Sequence, residues 1–175
     1  IQALAKAKGV ELKDITACIL DRPRHAEIIE KVRSTGASIR LITDGDVAGV
    51  IHTTDASTGI DIYLGVGGAP EGVLAAAALR CIGGQMQGRL IFRNDEERGR
   101  AERIGITDLS RKYDMQEMAS GDVMFAATGV TDGSMLRGVR KIGQGFETET
   151  VVMRSSTGTV RWIRGVHQDG KKFHY

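Results

Sequence analysis

Aromatic side chains are scarce in this chain, 5% of 175 residues, and the scarcity argues against one class of partner. Nucleic acid is held by clustered Lys and Arg, interleaved with stacking rings where the strand is single. Here positive charge gathers only at the end: residues 161–175 hold four Lys/Arg against one Asp, and residues 1–160 hold 20 against 21. The nearly neutral body excludes a nucleic-acid groove, and the tail with Lys171 and Lys172 reads as a solvated terminus. No apolar run approaches the roughly 18 residues that span a bilayer, and the start lacks the basic, apolar and small-residue segments of a secretory signal. No membrane partner is expected, and the expected compartment is the cytoplasm. Cysteine occurs twice, without C-x-x-C spacing, so neither a zinc site nor a redox pair is indicated. Cys18 and Cys81 read as small core residues. Methionine is missing from position 1, and Ile1 to Lys8 reads as the end of a helix, so a longer polypeptide is expected to precede this chain.

Glycine is what the chain has in excess, 23 residues, about 13% against a usual value of about 7%. It falls in doublets without a fixed period, which excludes collagen-like and low-complexity structure. With 41% hydrophobic residues the chain can bury a core without staples, and residues 1–175 are expected to form a single α/β domain.

Apolar, β-favouring runs recur at 16–20, 38–43 and 60–65, each followed by a polar loop and a helical pattern at about 24–35, 46–53 and 71–83. The first helix carries Ile28, Ile29 and Val32 and stops at Gly36. The third is apolar nearly all round, which predicts burial. Strands alternating with helices imply βαβ units, hence a mainly parallel sheet flanked by helices, with all three loops on the sheet edge where ligands bind in open α/β folds. The second half predicts a strand at 89–92, a charged helix at 94–104, a short helix at 114–119, a strand at 123–127 and a terminal hairpin at 147–154 and 158–166. Trp162 is expected to pack within that hairpin.

Three loops carry polar groups suited to chemistry. In Asp21-Arg22-Pro23-Arg24-His25, two guanidinium groups flank a proline ahead of a helix, a plausible anion site; an Asp cap with surface arginines is the plainer alternative. In Asp44-Gly45-Asp46, two carboxylates straddle a glycine able to take positive φ, so both can face a cation or sugar hydroxyls. A turn ahead of a helix N-cap at Asp46 explains the same residues. An aspartate pair after a strand also suggests haloacid-dehalogenase-like phosphatases, but Gly121-Asp122 has Ala126 where a second acid should stand. In Gly65-Val66-Gly67-Gly68-Ala69-Pro70-Glu71-Gly72, bare backbone amides lie beside a carboxylate at a helix start. The match to a dinucleotide fingerprint is loose and no phosphate-binding G-x-x-x-x-G-K-[ST] stretch exists, so nucleotide cofactors are not indicated. Taken together on one edge, the loops favour a phosphate-plus-polyol site. His25 is read as a cap or an anion contact, and His52, His167 and His174 carry little signal.

Asp21-Arg22-Pro23-Arg24-His25, Asp44-Gly45-Asp46-Val47-Ala48, Gly67-Gly68-Ala69-Pro70-Glu71-Gly72 and Phe125-Ala126-Ala127-Thr128-Gly129-Val130-Thr131 together resemble the C-terminal half of the class II fructose-1,6-bisphosphatase family. The resemblance implies the fold of the lithium-sensitive sugar phosphatases and a metal-dependent removal of the 1-phosphate of fructose 1,6-bisphosphate in gluconeogenesis, with sedoheptulose 1,7-bisphosphate a further substrate of some members. It implies that Arg22, Pro23 and Arg24 bind substrate, that Asp44, Gly45 and Asp46 hold sugar hydroxyls, that the Gly68 backbone meets substrate, and that Glu71 ligates Mn²⁺ or Mg²⁺. The remaining acidic ligands, a substrate tyrosine and the water-positioning residue would belong to an N-terminal half, which becomes the expected partner alongside the sugar bisphosphate, in a homo-oligomer. The alternative is a sugar-phosphate-binding module without catalysis.

Overall fold

The computed structural model describes residues 1–168; Lys171, Lys172 and His174 lie outside them. The first half alternates helices and strands: α1 (Gln2–Lys8), β1 (Thr16–Leu20), α2 (Ala26–Ser34), β2 (Ser38–Ile42), α3 (Asp46–Ile51), β3 (Ile62–Tyr63) and α4 (Ala69–Ile82). The three strands form a parallel sheet in the order β2-β1-β3, with Cys18 opposite both Arg40 and Tyr63. The central strand reads Thr-Ala-Cys-Ile-Leu because both its faces are covered, and its last four residues are all buried. Edge strand β2 tolerates Ser38 and Arg40, with Arg40 donating to the Thr58 carbonyl at 3.1 Å. Asp61 pins the start of β1, accepting the Thr16 N–H at 2.8 Å.

Helix α2 packs Ile29 and Val32 onto this sheet, with Ile15, Ala17 and Ile19. Gly36 follows at φ 82°, the left-handed conformation that ends a helix at no steric cost to glycine. The 3₁₀ turn Pro23–His25 precedes α2, so the helical path begins at the predicted place in a tighter winding.

Helix α4 joins the two halves of the molecule. Ala75 and Leu79 meet Val50 and Tyr63 on one side, while Ala78 and Cys81 meet Phe125, Val151 and Met153 on the other. Its alanines let neighbouring backbones approach closely. Burial is not uniform along it, however: Val73 and Leu74 are exposed at its first turns, so the all-round apolar pattern overstates how far the helix is covered.

The second half holds β4 (Gln87–Arg89), α5 (Asp95–Arg103), β5 (Lys112–Asp114), α6 (Met115–Met118), β6 (Met124–Thr128), β7 (Arg140–Ile142), β8 (Gly145–Arg154) and β9 (Thr159–Gln168). β4 and β5 pair antiparallel. β8 pairs antiparallel with β6, β7 and β9, so a four-stranded antiparallel sheet stands beside the parallel one, and the terminal hairpin is its β8–β9 edge. Asn94 caps α5 by accepting the Glu97 N–H at 2.9 Å. The apolar run at 89–92 is not a strand; pairing stops at Arg89, and Ile91 is exposed. Trp162 also departs from expectation. Its partner Val151 is wholly buried, whereas Trp162 is 60% exposed, because the face that is covered over β6 and β8 lies open at the edge strand. Cys18 and Cys81 are buried, unpaired thiols, and burial pushes both pKa values up.

Candidate functional site

β1 ends at Leu20, and the Asp21 N–H continues its ladder by donating to the Ile42 carbonyl at 2.7 Å. Arg22 is extended, and Pro23 opens the 3₁₀ turn where its fixed φ suits helical winding. Arg22 and Arg24 are exposed. Arg22 reaches back to the Asp21 carbonyl with Nη1 at 2.8 Å, while the Nε–H of Arg24 donates to the Val66 carbonyl, also at 2.8 Å. His25 is wholly buried. It is a link between loops, with no exposed ring to cap or touch an anion.

Gly45 takes φ 73° at the start of α3, the left-handed turn that an L side chain resists. Glycine thus occupies the N-cap, and Asp46 is the first helical residue, its Oδ1 accepting the Val47 N–H at 2.9 Å. Asp44 is exposed beside it. A methyl group at Gly67 would lie 3.6 Å from Asp46 Oδ2, so the second and third loops lie side by side.

In the third loop Gly65, Gly67 and Gly68 all avoid positive φ; at Gly65 and Gly68 the close approach is to side chains. A methyl at Gly65 would sit 3.3 Å from the Tyr63 hydroxyl and 3.5 Å from the His25 ring, and one at Gly68 would overlap the Glu71 carboxylate. Gly68 is the N-cap of α4, with Pro70 and Glu71 in the first turn, where a carboxylate complements the helix dipole.

Tyr63 stands at the meeting of the three loops. Its ring packs 3.1 Å from where a methyl on Gly49 would be. Burial first, then the Asp46 charge, pushes its phenol up to about 12, with Arg24 acting in the opposite sense. Sequence reasoning missed Tyr63, which reads there as one more residue of a β-favouring run. Surface hollows lie around Arg80, Asp122 and Ser155 and around Ile1, Ile28 and Leu64. Asp122 is engaged by Arg154 and Ser155 at 3.1 and 3.0 Å, as a hairpin anchor.

Among the described residues no three His, Cys, Asp or Glu side chains gather as a metal site. Glu71 therefore belongs to no group of three such ligands among those residues, and a divalent cation there would need further ligands. Among those residues, too, no helix is long and apolar enough to cross a membrane.

The family profile described as bacterial fructose-1,6-bisphosphatase, glpX-encoded, matches residues 1–167. Similar curated proteins are the "D-fructose 1,6-bisphosphatase class 2/sedoheptulose 1,7-bisphosphatase" of Synechococcus sp. (strain JA-3-3Ab), 41% identical over 98% of this chain and 54% of the relative, and that of Synechococcus elongatus (strain ATCC 33912 / PCC 7942 / FACHB-805), 38% identical over 95% of this chain and 52% of the relative. The chain thus spans about half the length of these relatives. The profile covers all three loops and every strand but the last residue of β9, and leaves the haloacid-dehalogenase alternative without support. On the strength of that coverage, with the loops gathered on one sheet edge, the chain belongs to the bacterial, glpX-encoded fructose-1,6-bisphosphatase family.

Proposed function

We propose that this chain supplies the substrate-binding half of a class II fructose-1,6-bisphosphatase, which hydrolyses the 1-phosphate of fructose 1,6-bisphosphate in gluconeogenesis and also accepts sedoheptulose 1,7-bisphosphate. The observation that carries this is the gathering of all three loops, with Arg24 bonded to Val66 and Gly67 beside Asp46, in a chain whose relatives bear those activities in their names. Arg22 and Arg24 offer planar donors to phosphate oxygens, Pro23 and Gly45 hold the loop shapes, Asp44 and Asp46 accept from sugar hydroxyls, and the Gly68 backbone meets the substrate. Glu71 contributes one ligand to Mn²⁺ or Mg²⁺, with the others and the water-positioning group coming from polypeptide outside this chain. When bound, such a cation lowers the pKa of its water and screens phosphate charge. A cytoplasmic location and homo-oligomeric assembly complete the proposal.

The test is a split in the kinetics of the full-length gene product. Arg24→Ala removes a charge-assisted contact worth roughly 1.5–3 kcal/mol, so its KM for the bisphosphate is expected to rise about 10- to 100-fold with little change in the Mn²⁺ needed. Glu71→Gln should raise the half-activating Mn²⁺ concentration about tenfold or more and leave KM within about threefold. Equal effects of both variants on both constants would sink the assignment. The lack of a three-ligand cluster among the described residues favours a second reading for the isolated 175 residues: fructose 6-phosphate binding, seen by calorimetry, without turnover.

A further inference from the structure

We infer that His25 is a positioning residue that locks the glycine loop of the substrate wall to the end of β1. The inference rests on the functional reading above for its kinetic consequence, though not for its geometry. The ring is wholly buried. Its Nδ1 lies 2.7 Å from the Leu20 carbonyl oxygen, which can only accept, so Nδ1 carries the proton. Nε2 is then the acceptor of the neutral ring, and it takes the Val66 N–H at 2.9 Å. The Val66 carbonyl, 3.0 Å from the same nitrogen, is served by the Nε–H of Arg24. Two consecutive residues of the first loop, Arg24 and His25, therefore hold both main-chain groups of Val66, 42 and 41 positions away.

Val66 needs such a hold. Gly65 and Gly67 flank it, and glycines give the backbone the widest choice of conformations. Two and five residues further on stand Gly68 and Glu71, the groups proposed to meet substrate and metal. A histidine serving only the core would find partners within its own layer. This one ties a strand end to a loop that nothing else in its local sequence would fix. Gly65 lies beside the clamp, since a methyl there would press on Tyr63 and touch the His25 ring.

The experiment pairs two substitutions in the full-length gene product. In His25→Asn the amide nitrogen overlays Nδ1 and keeps the Leu20 bond while losing Val66. In His25→Gln the amide oxygen overlays Nε2 and can still accept from Val66. With fructose 1,6-bisphosphate as substrate, His25→Asn is expected to raise KM at least tenfold with kcat within about threefold, and His25→Gln to recover most of that loss. A His25→Asn protein with KM within twofold of the parent, or two variants that are equally impaired, overturns the inference.

A parent protein that releases no phosphate would defeat the functional reading instead. The clamp is then read by nuclear magnetic resonance on the 175-residue chain. A ring protonated at Nδ1, with a Val66 amide that exchanges slowly in the parent and at least tenfold faster in His25→Asn, upholds it. An Nε2-protonated ring or an unprotected Val66 amide overturns it.

Discussion

Tyr63 shows how one side chain reports on the wall around it. Its phenol is pushed up to about 12 by burial and by Asp46, so it stays neutral through any ordinary assay. A pKa raised on folding contributes stability that is fully present below the unfolded value, about 10 for tyrosine, and is lost as pH climbs through the folded value. Of the three tyrosines, Tyr63, Tyr113 and Tyr175, one component of the phenolate absorbance is expected to titrate near 12 and to vanish in Tyr63→Phe. A native protein whose tyrosines all titrate near 10 would contradict that environment. Arg22, Arg24, Asp44, Asp46, Gly68 and Glu71 were legible as candidates because each sits in a short polar motif after an apolar run. Tyr63 was not, and His25 was read only as a cap or an anion contact, because their meaning lies in contacts 41 residues long or with a glycine on another element.

At the level of elements, α3 and α4 offer a contrast between two helical glycines. Glycine in a helix interior usually costs about 1 kcal/mol relative to alanine. At Gly72 of α4 an added methyl meets nothing within 4 Å, so Gly72→Ala should stabilise by about 0.5–1 kcal/mol. At Gly49 of α3 the methyl would stand 3.0 Å from Ile42 and 3.1 Å from the Tyr63 ring, and the overpacking, about 1–3 kcal/mol, outweighs the propensity gain. Urea unfolding should thus show opposite signs for the two substitutions; a stabilised Gly49→Ala would mean that Tyr63 yields easily. α2, α4, β1, β2, β6 and β8 stood out in the sequence by their apolar runs or periods, and α5 by its mixed charges. β4 and β5 did not, since Gln87–Arg89 and Lys112–Asp114 are short, largely polar segments whose stability comes from pairing with each other. The run at 89–92 misled because apolar character without a partner does not make a strand.

Across the whole molecule, the parallel sheet and the antiparallel sheet keep separate cores, with α4 contributing to the one beside β6 and β8. The alternation of strand, loop and helix revealed the first architecture; the second was visible only as the strand at 123–127 and the terminal hairpin, since the pairing of β6 with β8 joins segments far apart in sequence. The two cysteines happen to mark the two architectures, Cys18 within β1 and Cys81 on the α4 face turned to Phe125 and Val151. Burial suppresses the thiolate in both, and the thiolate is the nucleophile that attacks alkylating reagents. Each sulfur is thus a built-in clock for the opening of its own layer. Iodoacetamide should leave both untouched in the native chain, and pulses at rising urea should date each layer's exposure by the mass of the labelled peptide. Rapid native labelling of either would show that its layer breathes on its own.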